Sequence, residues 1–286
     1  LRNNTYVPWV PPRPYQRIPY FGPIRVAYYS RYPQKVLPLY RLSSDRELLS
    51  GAMVPLVLNI FHANEPTTNW ILSDWEDNQT LSQPWGINVH GWASDKYWFS
   101  RGGMVFQANL INPILVYLRR NEIPAAIRNL YNDFVACYYP GADAFTEEYH
   151  QWVHASGPFY KISDEAQFVH RIRDLLVLEK GDALWLLEGI PRRWLAPGKQ
   201  IELNNAPTYF GLVTCRIKSD ESSVTADVTL PSRNPYRTAY LVLRFPGNKP
   251  IRSVEIDGKA WHDFDAVAQR IRLPLKAGTM RIRVSF

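Results

Sequence analysis

The sequence predicts an α+β, multidomain chain in which helical hairpins come first and an antiparallel β-sandwich follows. Apolar residues recur at helical spacing between about residues 44 and 180, and from about 183 they alternate with a period of two. Ahead of both, the stretch PWVPPRPYQRIPYFGPIRVAYYSRYP is dense in Pro, Tyr and Arg. Repeated prolines exclude a regular helix there, while so much ring area seeks burial. The expected division is therefore 1–43 as an extended segment packed on the helical part, 44–182 as helical hairpins, and 183–286 as the sandwich.

Taken in order, Ser44-Asp45-Arg46-Glu47 forms a capping box, and Leu48, Leu49, Ala52, Met53, Leu56 and Ile60 follow at helical spacing. Pro55 is expected to kink this helix, which should stop near His62 to Asn64. Residues 65–103 fit no regular element and read as a long loop, a class that is usually functional when it occurs in a compact domain. The period returns at Met104, with Ala108, Ile111, Leu115 and Leu118 on one face and a kink allowed at Pro113. A second helix carries Ile123, Ile127, Leu130, Phe134 and Cys137, with Pro124 harmless in its first turn. The short link Arg119-Arg120-Asn121 makes the two an αα-hairpin. Pro140-Gly141 releases the chain into a second loop, and Ser163 is expected to cap a helix bearing Phe168, Ile172, Leu175 and Leu176. Glu165 reads as a first-turn acid complementing the helix dipole. Strands are expected near 183–187, 199–203, 211–218, 223–230, 238–245, 251–256, 269–273 and 279–286, with Asp257-Gly258 as a hairpin turn.

Composition narrows the function. The 286 residues hold 33 Lys and Arg against 26 Asp and Glu, a net charge of +7. The cations are scattered, so no nucleic-acid partner is expected, and an anionic substrate suits the balance better. No apolar run is long enough for a membrane span. The two cysteines, Cys137 and Cys215, read as core thiols. No ligand spacing points to a metal, and no cofactor is expected. The chain begins on Leu1 without Met or a signal-peptide pattern, which reads as a mature or cut end of a longer product.

The chemistry gathers in the two loops. Asp143–Phe168 holds Glu147, Glu148, His150, Trp152 and His154. Residues 65–103 hold Asp74, Trp75, Asp77, Trp85, His90 and Trp92. Flat rings beside carboxylates and amides suit sugars, whose pyranose faces are apolar and whose rims need hydrogen bonds. Any single Trp here is as readily explained as core, and the cluster carries the signal. Two carboxylates flanking a glycosidic bond are the usual hydrolytic pair. Glu147 or Glu148, desolvated by Tyr149 and Trp152, is the candidate acid, and Asp74 or Asp77 its partner. Trp75, Trp85, His90, Trp92, His150, Trp152 and His154 are the candidate substrate contacts.

The run Trp185-Leu186-Leu187-Glu188-Gly189-Ile190-Pro191-Arg192-Arg193-Trp194-Leu195 resembles the strand and turn that leave the toroid in bacterial six-hairpin glycosidases. Asn205-Ala206-Pro207-Thr208-Tyr209-Phe210-Gly211 and the terminal VEIDGKAWHDFD are similar to that superfamily's sandwich. The resemblance implies an (α/α) toroid portion followed by its β domain, a glycosidase activity on a plant or microbial saccharide, a uronate-containing one among the candidates, and a periplasmic or secreted rather than cytoplasmic setting. Four clear helices fall short of a full ring, so the resemblance implies the C-terminal portion of an enzyme whose N-terminal part is a partner in the same or a separate chain. A polysaccharide lyase using Tyr149, His150 and His154, or a non-catalytic carbohydrate-binding module, are the rival readings. An unsaturated, ultraviolet-absorbing product marks the lyase, new reducing ends without it the hydrolase, and retention with neither the binder.

Overall fold

The computed structural model describes residues 53–74, 80–82, 88–90, 104–106, 112–139, 143–145, 148–150 and 162–286. The expectations for 1–43 and for the helix start at Ser44 lie outside those residues. Two compact units make up the chain, Leu1–Arg171 and Ile172–Phe286.

The first described elements of the first unit are a short helix, α1 (Met53–Val57), and a second, α2 (Pro66–Asp74). This departs from the single kinked helix expected through His62. Asn59 takes a left-handed φ of 59°. Its N–H reaches the Leu56 carbonyl at 3.0 Å, and the Ile60 N–H reaches Pro55 at 2.8 Å, the paired closing bonds of a Schellman turn. Asparagine tolerates this conformation nearly as glycine does, so α1 ends at Val57 although apolar residues continue. Arg119 donates to the Leu56 and Val57 carbonyls at 3.1 and 2.8 Å, placing a cation on the orphan acceptors of the same end. Three short strands then appear where no regular element was expected or a helix was: β1 (Thr80–Ser82) and β2 (Asn88–His90) pair with each other, and β3 (Met104–Phe106) follows.

Helix α3 spans only Ile114–Arg119, so Met104 starts a strand rather than a helix, and Pro113 sits at the helix entrance instead of kinking it. There the Asn112 side-chain Oδ1 accepts from the Ile114 N–H at 3.2 Å. α3 closes as α1 does: Asn121 has φ 59°, and the Glu122 N–H reaches the Tyr117 carbonyl at 2.8 Å. α4 (Ile123–Cys137) follows directly, with Pro in its first turn and Ile123, Ala126, Leu130 and Cys137 buried on one stripe. The small strands β4 (Tyr138–Tyr139) and β5 (Ala144–Phe145) pair, and β6 (Glu148–His150) pairs with β3. α5 (Ile162–Leu176) completes the helices. Ser163 lies within it and donates to Asp164 at 3.3 Å rather than capping it. Phe134, Tyr138, Phe145 and Phe168 form one aromatic cluster, with Phe145 and Phe168 stacked at 4.3 Å.

The second unit is two antiparallel-rich sheets on one core, a sandwich-like arrangement. The six-stranded sheet runs β14-β13-β17-β11-β10-β9, and the five-stranded sheet runs β15-β16-β12-β8-β7. Their members are β7 (Val177–Lys180), β8 (Ala183–Leu186), β9 (Gln200–Thr208), β10 (Gly211–Ser219), β11 (Ser223–Thr229), β12 (Thr238–Val242), β13 (Ser253–Ile256), β14 (Lys259–Trp261), β15 (Phe264–Asp265), β16 (Arg270–Arg272) and β17 (Thr279–Ser285). The period-two alternation is realised residue by residue. Val224, Ala226 and Val228 of β11 and Met280, Ile282 and Val284 of β17 are buried, and their neighbours face water. Leu184, Leu186, Ala239 and Leu241 from the other sheet meet Val213, Cys215 and Ile217 in the same cluster. One pair departs from the expected antiparallel pattern: β8 and β12 run parallel, Trp185 opposite Tyr240. β7 begins at Val177, ahead of the change of period, and Val177 already belongs to this core with Leu176 packed against it.

Both cysteines are free and fully buried. Burial pushes the Cys215 thiol up to about 12, and lifts Cys137 far above its ordinary value with help from the nearby charges of Asp133 and Asp164. A disulfide reagent at pH 8 should find no reactive thiol in the folded protein and two after denaturation, since only the thiolate attacks. Rapid native labelling of either cysteine would contradict this burial.

Candidate functional site

α4 is the element around which the candidate site is built. Its backbone contacts both β2 and β6, the strands that carry His90 and Glu148 with His150. β6 pairs in turn with β3, Glu148 opposite Phe106 and His150 opposite Met104. Asp74 is the last residue of α2. Trp75, Asp77, Trp85, Trp92, Glu147, Trp152 and His154 lie outside the described residues.

α4 also carries a buried polar group that none of the sequence expectations included. Asp133 falls in the buried stripe of α4 itself, one turn before Cys137, and is 1% exposed. Neither of its carboxylate oxygens accepts a hydrogen bond from a described residue. Desolvation holds its carboxyl well above the usual range, and the charge of Arg171 on α5 only partly offsets this. Asn129, one turn earlier, turns its amide back to the Ala125 carbonyl at 2.8 Å. Glu165, in the first turn of α5, accepts the Phe145 N–H at 3.1 Å, tying β5 to α5, which suits its reading as a structural residue. At the tip of the β4–β5 pair Tyr138 donates to Asp143 at 2.6 Å, and that bond raises the phenol above its ordinary value. The signal for Asp133 was present in the sequence, because a carboxylate on the apolar stripe of a helix must be partnered or neutral.

The folded state thus holds the Asp133 proton more tightly than the unfolded chain does. This contribution is complete below the ordinary carboxyl value near 3.8 and is lost as pH rises through the raised folded value. Asp133→Asn removes a buried titrating group at constant shape. It should raise the thermal midpoint at pH 7 and lose that advantage below pH ~4; an unchanged difference between the two pH values would show that the folded carboxyl titrates as the unfolded one does, and a midpoint lowered at pH 7 would show that Asp133 is ionised and paired.

In the second unit, the stretch that resembles a toroid exit has a plain physical role. Leu187 takes φ 62°, turning the chain out of β8, and its N–H reaches the Leu176 carbonyl at 2.8 Å. Glu188 is thereby buried, 4% exposed, with Lys180 Nζ 2.7 Å from Oε1 and 2.6 Å from Oε2. Burial raises the Glu188 carboxyl, and Lys180, Arg244 and Arg270 pull it back only in part. The Lys180 ammonium is lowered by the same desolvation. Lys180 also lies 4.7 Å over the Trp185 ring, which packs against Tyr240 at 4.4 Å with Arg270 beside both. The second motif clamps the β9–β10 turn. Arg173 holds Glu179 through two bonds of 2.9 and 2.7 Å and donates to the Pro207 carbonyl at 2.9 Å. Gly211 has φ 122°, and a Cβ there would meet Arg233 Cβ at 3.0 Å and its backbone N at 3.1 Å. Both motifs therefore build the sheets, and their residues have structural work. Among the described residues no His, Cys, Asp and Glu cluster could hold a metal ion, and no helix is long and apolar enough to cross a membrane.

Because both pKa directions follow burial rather than attraction, the Lys180–Glu188 pair is worth little against apolar residues but much against its own half. Lys180→Met should cost about 3 kcal/mol in urea unfolding, the low end for a broken buried pair because Arg244 and Arg270 still face Glu188. Adding Glu188→Met should recover most of it. A single substitution without cost would show that the pair is solvated.

No family model matches the chain, and no curated protein matches it. Among solved structures, one described as a glycoside hydrolase aligns with 63% of this chain at 9% identity and a TM-score of 0.32. The chain spans about a third of that protein, 32% of its length. A likeness of this size fixes neither fold nor activity.

Proposed function

We propose that this chain is the C-terminal portion of a carbohydrate-active enzyme that hydrolyses glycosidic bonds with a carboxylate pair. The reading rests on one observation, the order of parts. Helices and acid- and Trp-rich segments precede a two-sheet unit whose second strand, β8, leads into Trp185–Leu195, the run that resembles the exit from a six-hairpin (α/α) toroid. In this reading Glu147 or Glu148 is the general acid and Asp74 or Asp77 its partner, brought together where β2 and β6 meet α4. His90, His150, His154 and the indoles of Trp75, Trp85, Trp92 and Trp152 line the sugar path. The remaining hairpins of the toroid come from the rest of the enzyme, in the same chain or another. The excess of cations suits an acidic, uronate-containing saccharide of plant or microbial origin. Such a substrate places the enzyme, bacterial in its resemblance, in the periplasm or outside the cell.

Glu147→Gln and Glu148→Gln remove a titrating group while keeping shape. One of them should lower turnover by at least ~100-fold, the usual worth of general acid–base catalysis, with the melting profile unchanged. Full turnover by both folded variants would place the acid elsewhere.

A further inference from the structure

The second unit carries a groove of about 410 Å3 that no part of the proposed reaction uses. Its lining is Leu176, Arg193, Trp194, Lys199, Gln200 and Ile201. The size falls within the range of small-molecule sites, roughly 300–1,000 Å3. Leu176, Trp194 and Ile201 are half-buried and pack against the sandwich core, which gives the groove a floor that does not need to form on binding. Its rim is held as firmly. The Trp194 N–H bonds the Pro191 carbonyl at 2.9 Å, and the Lys199 N–H bonds Ala196 at 3.0 Å. The Ser219 N–H returns to the Lys199 carbonyl at 3.0 Å, and the Ser219 hydroxyl bonds Leu195 at 3.0 Å.

The charge on this rim has one sign. Arg193 and Lys199 are exposed, and Lys199 pairs with no carboxylate among the described residues. Lys218 stands directly opposite Gln200 in the β9–β10 register, adding a third cation to the same neighbourhood. An indole face with an aliphatic floor takes the apolar face of a pyranose, an amide takes its hydroxyls, and the cations take a carboxylate on its rim. A neutral sugar would leave Lys199 and Lys218 without an anionic partner, and an isolated small anion would leave the indole unused.

We propose that this groove is an accessory subsite for an acidic glycan, a segment of one or two uronic acid residues, distinct from the site on α4. It rests on the carbohydrate reading only for the choice of ligand class. Its work would be to hold a polyanionic chain on the enzyme while cleavage proceeds elsewhere.

The test is equilibrium binding of the full chain to tetragalacturonate and to its neutral counterpart tetragalactose, by calorimetry, with hydrogen exchange locating the protected amides. Tetragalacturonate should bind, lose affinity with added salt, and protect amides within 192–201, whereas tetragalactose should bind at least ~10-fold more weakly. Lys199→Glu reverses an exposed charge without touching the core and should weaken binding ~10-fold or more. Trp194→Leu keeps an apolar contact with the core and should weaken it through loss of the ring face. Equal affinity for the acidic and neutral sugars, unchanged affinity in Lys199→Glu, or protection confined to residues outside 192–201 would each overturn the proposal. Release of reducing ends is followed in the same samples. Binding without cleavage leaves the groove standing and removes the hydrolase reading, while cleavage with no protection at 192–201 does the reverse.

Discussion

The two sheets of the second unit are held on one apolar core, and the arrangement of that unit follows from keeping it closed. Residues alternate in and out along β10, β11 and β17, so a register slip of one would send Val224, Ala226 and Val228 into water together. The Leu187 turn, the Arg173–Glu179 clamp and the close approach at Gly211 each fix an end of a strand so that the register cannot drift. Phe245 and Phe286, stacked at 3.9 Å, fill the core where the chain ends. Polar groups in this interior include the Ser219 hydroxyl on the Leu195 carbonyl and Lys180 on Glu188, while the Trp185 indole N–H and Arg244 Nε are buried without a hydrogen-bond partner among the described residues.

The helical unit obeys a different constraint. Two of its described helices, α1 and α3, are short and stop on asparagines in the left-handed conformation, with Arg119 covering the last carbonyls of α1. What it gains is a set of helix ends from which the chain leaves toward the acid- and aromatic-rich segments. α4, the longest of the described helices ahead of α5, carries a buried Asp133 on the face that should be purely apolar, and strands β2 and β6 contact the helix. Burying a carboxylate this way costs stability, which is tolerated most often near sites where chemistry needs a poised group.

The β part was legible because a period of two survives in short segments: all eight expected strands exist, with boundaries shifted by a few residues. What alternation cannot encode is the partner, so the parallel pairing of β8 with β12 was invisible. β7 was missed because Leu175-Leu176-Val177-Leu178 continues the apolar run of the helix without a break in composition. Among the helices, α4 was read nearly to its ends, while Asn59 hid the end of α1 by acting where a glycine is normally sought. Pro66 opened α2 inside a stretch that seemed too irregular for any element. For the site, the sequence supplied residue types in two segments and no distances. Its most specific run, Trp185–Leu195, proved to be the scaffold of a turn with a buried ion pair, a fold signal rather than a catalytic one.

The central claim, that the chain belongs to an enzyme cutting glycosidic bonds by hydrolysis, is tested most directly by the chemistry of its product. Incubation of the complete enzyme with an acidic oligosaccharide, with reducing ends and ultraviolet absorbance followed together, separates hydrolysis from elimination in one experiment. The account requires new reducing ends in step with cleavage and a flat absorbance trace. An absorbance that rises mole for mole with the new ends would instead mark a lyase, in which proton abstraction beside the uronate carboxylate replaces the carboxylate pair.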